Sequence, residues 1–283
     1  MSVKIITDST SYIPEEYIKD YDINVVSLNV ILEGKSYREV DLDNLEFYRK
    51  MELTGEMPKS SQPSLDEMMK VFEEVVKGGD DIVGIFLSSK MSGAYSSANL
   101  VKSMVLEKYP NAKIEIIDSM TNCMQMGYEV LEAARFAKEG KTIEEVVDIA
   151  IKTRERSRFL FFPDTLRYLK KGGRIGGAAA LLGTVLQIKP ILTVENGVTT
   201  VYEKVRTKKR AINTIIDKVL KDAKEKGLSE VIVHHINCEE EGKSLAKALE
   251  EKLHIPVKYQ TIGPIIGLHV GPASIGVAYY TKK

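Results

Sequence analysis

Short apolar runs, each followed by an amphipathic stretch, fill the first half of this chain. "VKIITDST" (3–10) reads as a buried strand ending in polar residues. "SYIPEEYIKDY" follows, with Pro14 near a helix start, where its missing N–H costs nothing. "INVVSLNVIL" (23–32) reads as a second strand, and a polar hairpin or loop comes after it. A helix from about Leu42, the loop "KSSQPS" (59–64) and a helix from Ser64 continue the chain. "DIVGIFLSS" is a strand, "SGAYSSANLVKSMVLEKY" a helix and "AKIEIIDS" a strand. "MGYEVLEAARFAKEG" is a helix closed by Gly140, and "TIEEVVDIAIKTRERS" another capped by Thr142. Strand and helix alternating at this spacing predict a parallel sheet with helices on both faces.

Near Arg158 the texture changes. "ILTVENGVTTVYEKV" sets Asn-Gly between two β-branched runs, a strong hairpin signal. A helix, the strand "EVIVHHIN", another helix and two further strands, "PVKYQTIG" and "SIGVAYYT", complete a mixed sheet. The fold class expected is therefore α/β in two domains. Residues 1–155 would form a three-layer α/β/α parallel-sheet domain, and 156–283 a two-layer α+β domain with a mixed sheet. The small-residue apolar run 176–192 would be a buried helix, either core or the wall of a tunnel. Met120, Met124 and Met126 suit core packing or contact with a flexible apolar chain.

Composition narrows the function. Forty basic and 40 acidic residues cancel, so no charge excess points to nucleic acid. Two cysteines without CxxC spacing make neither a disulfide framework nor a zinc site, as fits a reducing compartment. The apolar start meets Asp8 too soon for a signal peptide, and no run approaches a membrane span, so a cytoplasmic protein is expected.

Ligands of a parallel α/β sheet bind beyond the strands' carboxyl ends. Four polar clusters fall there: Thr7 to Thr10, Ser88 with Ser89, Asp118 with Ser119, and "KSSQPS". Each serine alone is an ordinary cap or turn residue, as Ser64 and Ser92 illustrate; the convergence is what suggests a site. The run "SSKMSGAYSS" (88–97) lacks the G-x-S-x-G of a nucleophile elbow, and neither a P-loop nor a GxGxxG is present. Hydroxyls beside helix N-termini can grip a carboxylate or phosphate without any base. In the second half, Arg174 sits among Gly172, Gly173, Gly176 and Gly177; His269 lies in "IGLHVGP"; and Arg206 joins a basic cluster with Lys204, Lys208, Lys209 and Arg210. Each could equally be a solvated arginine or a buried, hydrogen-bonded histidine. His234 and His235, adjacent in a strand, point to opposite faces and read as structural. Asp8 reads as a cap or loop organiser.

"TDST", "SSQPS", "LSSKMSGAYSSA", "YLKKGGRI", "ENG" and "HVGP", in that order over nearly the whole chain, resemble the DegV family of bacterial fatty-acid-binding proteins, which includes the FakB subunits of fatty acid kinase. One departure is visible: the family loop usually reads T-S-Q-P, and here Ser60 takes the first place. The resemblance implies a non-catalytic carrier that buries a long-chain fatty acid such as palmitate (C16–C18) between or beneath two α/β domains, the second closing the lipid pocket. It implies a carboxylate held by Ser60 and Ser92, with Ser61 and Ser89 nearby, and a handover to a kinase subunit, for acyl-phosphate formation, involving Arg174, His269 and Arg206. No cofactor or metal is required on this view, transient membrane contact is allowed, and a monomer is expected. The alternative is a small-molecule serine hydrolase or phosphate-handling enzyme. An acyl tail supplies about 0.8 kcal/mol per buried CH₂, on the order of 10 kcal/mol gross for sixteen carbons.

Overall fold

The computed structural model describes residues 2–55, 57–183 and 188–283. In chain order the elements are β1 (Val3–Asp8), α1 (Glu15–Asp20), β2 (Asn24–Val26), β3 (Asn29–Leu32), β4 (Lys35–Arg38), α2 (Asn44–Thr54), β5 (Lys59–Ser61), α3 (Leu65–Lys77), β6 (Asp81–Phe86), α4 (Ala94–Lys108), β7 (Ile114–Asp118), α5 (Cys123–Lys138) and α6 (Ile143–Arg156). There follow β8 (Ser157–Phe162), α7 (Arg167–Lys171), β9 (Lys189–Glu195), β10 (Val198–Val205), α8 (Lys208–Lys226), β11 (Leu228–Ile236), α9 (Glu239–Leu253), β12 (Lys258–Thr261), α10 (Pro264–Val270) and β13 (Ser274–Thr281). The chain divides into two compact units, Met1–Asp41 with Ser60–Glu155, and Leu42–Lys59 with Arg156–Lys283. Residues 42–59, placed in the first domain by the sequence reading, count with the second unit. There the Tyr48 hydroxyl on α2 donates to the carbonyls of Ile262 (2.8 Å) and Gly263 (3.0 Å).

The first unit is built on a parallel sheet of order β2-β1-β6-β7. Its strands are short, β-branched and buried, as a sheet covered by helices requires. Helix α5 packs on β1 and β6, α3 on β6 and β2, and α4 on β6 and β7. Met124 and Met126 are core residues of α5. Thr142 and Glu145 form a reciprocal capping box at the start of α6: the Glu145 amide donates to Thr142 Oγ1, and the Thr142 amide to Glu145 Oε2.

"INVVSLNVIL" is not one strand. It divides into β2, in the parallel sheet, and β3, in a separate sheet of order β4-β3-β5. The break falls at Leu28, whose amide donates to Ser9 Oγ and whose carbonyl accepts from the Glu39 amide, so neither is left for a continuing ladder. "KSS", expected as loop, supplies β5.

The second unit carries a mixed sheet of order β10-β9-β8-β13-β11-β12. Asn196 and Gly197 take positive φ (50° and 81°) and turn β9 into β10, as an Asn-Gly hairpin does. Period-two alternation divides the buried strands between two faces. Leu160, Val233 and Val277 belong to a core cluster with Ile215 and Val219 of α8 and Leu245 and Leu249 of α9. The alternate positions, Phe159, Phe161, His234 and Gly276, face the other way, toward Ile266 and Val270 of α10. The buried helix expected over 176–192 is corrected. Gly176–Leu181 is a 3-10 turn and Lys189–Glu195 the strand β9, while 184–187 lie outside the described residues. Gly176, at φ 49°, explains the tight turn: a Cβ there would stand 2.3 Å from the Thr199 carbonyl oxygen.

Candidate functional site

Parallel pairing of β1, β6 and β7 aligns their carboxyl ends, and side chains tie the loops together there. Asp8 is fully buried. Its Oδ1 accepts from the Thr10 amide (2.9 Å) and hydroxyl (2.6 Å), and its Oδ2 from the Leu87 amide (2.8 Å). Burial pushes its carboxyl up to about 6, against the pull of these donors. Asp8 thus organises the loop and caps the short 3-10 turn at Ser9–Ser11. Asp118 acts similarly: its Oδ1 accepts from the amides of Ser89 (3.1 Å) and Met120 (2.9 Å).

The turn at 88–92 closes on itself, with the Met91 and Ser92 amides donating to the Ser88 carbonyl. Ser92 Oγ accepts from the Ala94 amide (3.2 Å) at the start of α4, so its own proton can be directed outward. Ser92 therefore ties down the amide that opens α4, whose cap position is Gly93, and still has a donor to offer. Ser64 precedes α3 with extended backbone but makes no side-chain cap.

Ser60 and Ser61 stand on β5, partly exposed, and lead into Gln62. Gln62 lies directly over Gly93: a Cβ on Gly93 would come within 2.0 Å of Gln62 Oε1. The missing side chain lets the "SSQ" segment settle against the Ser92-Gly93 turn. Three of the four predicted grip residues, Ser60, Ser61 and Ser92, are thereby gathered within a few positions of one close contact. Ser89 is exposed on the same turn, held by its amide to Asp118. Asn122, which sequence reasoning passed over, sits behind the turn with its Nδ2 3.2 Å from Met91 Sδ. Its position as the residue before α5 was the one available signal.

In the second unit, Arg174 and His269 meet over Gly172. Arg174 Nη1 donates to the Gly172 carbonyl (2.7 Å), and a Cβ on Gly172 would lie 2.2 Å from His269 Nδ1. Burial, with the Arg174 charge adding to it, pushes the His269 imidazole down to about 4, so it is neutral at pH 7. His269 lies in the last turn of α10, a helix absent from the sequence reading. Arg206 is exposed just before Thr207, which caps α8 through the Arg210 amide (3.1 Å). His234 and His235 are both buried, on opposite faces of β11, and burial pushes His234 down to about 3.

The same unit contains a small, tightly closed apolar pocket. Its floor is the sheet face with Phe159, Phe161 and His234, and Ile266 and Val270 of α10 roof it. At Gly276 a Cβ would strike Phe161 Cβ (2.7 Å) and the Leu160 carbonyl oxygen (2.8 Å). The glycine inside "SIGVAYY" was the legible signal, since an interior strand glycine marks a close approach. Among the described residues no cluster of His, Cys, Asp or Glu could hold a metal ion, and no helix is long and apolar enough to cross a membrane.

The DegV family model, described as a family of uncharacterised proteins, matches residues 2–282. A DegV domain-containing protein of Clostridium acetobutylicum is 53% identical over 283 residues, 100% of this chain and 99% of that protein. The crystal structure of DegV from Bacillus subtilis, a fatty acid binding protein, superposes with a TM-score of 0.90 at 34% identity, covering 100% of both chains. A stearic acid-binding protein from Eubacterium ventriosum gives a TM-score of 0.87 at 30% identity, covering 99% of this chain and 98% of that one. Matched from end to end in sequence and in fold, the chain belongs to the DegV family.

Proposed function

We propose that this protein binds a long-chain fatty acid of the C16–C18 class, palmitate among them, and carries it without transforming it. The observation that carries the reading is the apolar cavity under α10, in a fold whose solved relatives bind fatty acids. The space it encloses is about that of one water molecule, far less than an alkyl chain needs. The α10 side chains therefore shift as an alkyl chain enters.

The carboxylate is assigned to the hydroxyls of Ser60 and Ser92, with Ser61 and Ser89 beside them. Two observations support this. The Gln62–Gly93 contact holds the two serine segments together, and the Ser92 oxygen, already accepting an amide, is left with a proton to donate. The unit that holds the serine run contains no histidine, since all four lie at 234, 235, 254 and 269, which weighs against a serine–histidine hydrolase built there.

Presentation of the carboxylate to a partner kinase subunit in the cytoplasm, by a monomeric carrier, completes the proposal. Arg174 and neutral His269 are assigned to the handover. Arg206, exposed in a basic cluster, is assigned to docking. The test is mass spectrometry of the organic extract of the purified protein. A stoichiometric C16–C18 acid is expected. A blank that persists after incubation with palmitate refutes the carrier reading.

A further inference from the structure

The wall of the cavity is not purely apolar. Ser274 opens β13 and is 2% exposed; its Oγ is buried with no hydrogen-bond partner, and the residue lines the cavity. The antiparallel register sets Ser274 opposite Ile236 and Gly276 opposite His234, so Ser274 and His234 share one face as diagonal neighbours. The His234 ring, fully buried, lines the same cavity. A hydroxyl sealed from water without a partner is costly, and an alanine would fill this place without that penalty. A saturated alkyl chain leaves it unsatisfied. A chain bearing one oxygen at the right depth satisfies it.

We propose that the cavity selects an oxygenated acyl chain, a hydroxy fatty acid, through a hydrogen bond between the chain oxygen and Ser274 Oγ. The inference rests on the carrier reading and sharpens its ligand class. The chain hydroxyl and the serine hydroxyl can each donate or accept, so the bond needs no ionised group. Specificity follows from an asymmetry: a site that hydrogen-bonds a ligand oxygen leaves a buried group unpaired with the analogue that lacks it.

The test is competitive binding of palmitate against a positional series of hydroxypalmitates, on the wild-type protein, Ser274→Ala and Ser274→Thr. One isomer, or a small group of neighbouring isomers, is expected to bind the wild type about three- to tenfold more tightly than palmitate. The ratio falls to near one in Ser274→Ala and is restored by Ser274→Thr, which keeps the hydroxyl. Palmitate binding as well as every hydroxylated isomer overturns the inference and leaves the carrier reading standing, with Ser274 serving an internal water. A preference that survives unchanged in Ser274→Ala also overturns it. No binding of palmitate or of any isomer refutes the carrier reading, and this inference with it.

Discussion

Two regions of the molecule, one in each unit, handle buried polarity in opposite ways. The first gathers it at the carboxyl edge of the parallel strands, where Asp8 accepts from two amides and a hydroxyl and Asp118 from two amides. The second threads it through a sheet face, where His234 and Ser274 stand among phenylalanines and isoleucines. A polar rim orients a charged group, whereas an apolar face with isolated polar atoms recognises shape and a single hydrogen bond. The proposed function draws on both.

The largest effect is expected where the rim is stripped of donors. Ser60→Ala with Ser92→Ala should weaken fatty-acid binding about 100-fold, or about 3 kcal/mol, as loss of two hydrogen bonds to a charged group implies. Isothermal titration reads it, and an unchanged affinity would remove the grip from these residues. Next, Gly276→Val should destabilise the second unit by about 2 to 3 kcal/mol, because its side chain meets Phe161 and the Leu160 carbonyl with no room to yield. Urea unfolding of this variant measures it, and a wild-type midpoint would show that the cavity floor is soft.

The pH response should separate the units by sign. His234 binds a proton near pH 6.5 when unfolded but only near 3 when folded, so its contribution is complete above 6.5 and is lost as pH falls, by about 2 kcal/mol at pH 5. Asp8 has its folded value raised to about 6 from 3.8, so its contribution is complete below about 4 and is lost as pH rises toward 6. Amide exchange, followed unit by unit from pH 4.5 to 8 and corrected for intrinsic rates, should therefore show opposite slopes. Neutral His269, held near 4, adds a slope of the same sign, so His234→Gln should reduce the second slope by roughly half rather than abolish it, and a slope it leaves untouched would reassign the effect. The smallest change expected is from Arg206→Glu: an exposed charge far along the chain from the serines should alter acid affinity by less than about 0.5 kcal/mol, while kinase coupling, measured as acyl-phosphate formation with the cognate subunit, should fall. Loss of acid binding would place Arg206 in the site itself.

What the sequence made legible was local. Asn196-Gly197 announced its hairpin, Thr142 its helix, and the strand-end clusters their common edge, because turn chemistry, capping and strand polarity are properties of a few neighbouring residues. The residue identities of the serine rim and of Arg174 and His269 came from the family resemblance, and the Gln62–Gly93 and Gly172–His269 contacts then supplied reasons for their proximity. What stayed hidden was decided at long range. "INVVSLNVIL" looks continuous until Ser9, nineteen residues before Leu28, claims the Leu28 amide. Helix α2 joins the second unit through Tyr48, whose partners lie more than 200 positions away. Helix α10 is short, with Gly263 before Pro264 and Gly271 after Val270, and its glycine-rich surroundings disguised it as a constrained loop.

The carboxylates at the strand ends have one more consequence. In sheets that hold nucleotides, backbone amides beyond the strands are left open for phosphate. Here the Leu87, Ser89 and Met120 amides are already occupied by Asp8 and Asp118, so the protein brings its own counter-ions to that edge. A dianion approaching that edge would meet those amides spent and twice the repulsion from the two carboxylates that a monoanion meets at the same distance. On the proposed function, that edge would favour a singly charged acid over a phosphate.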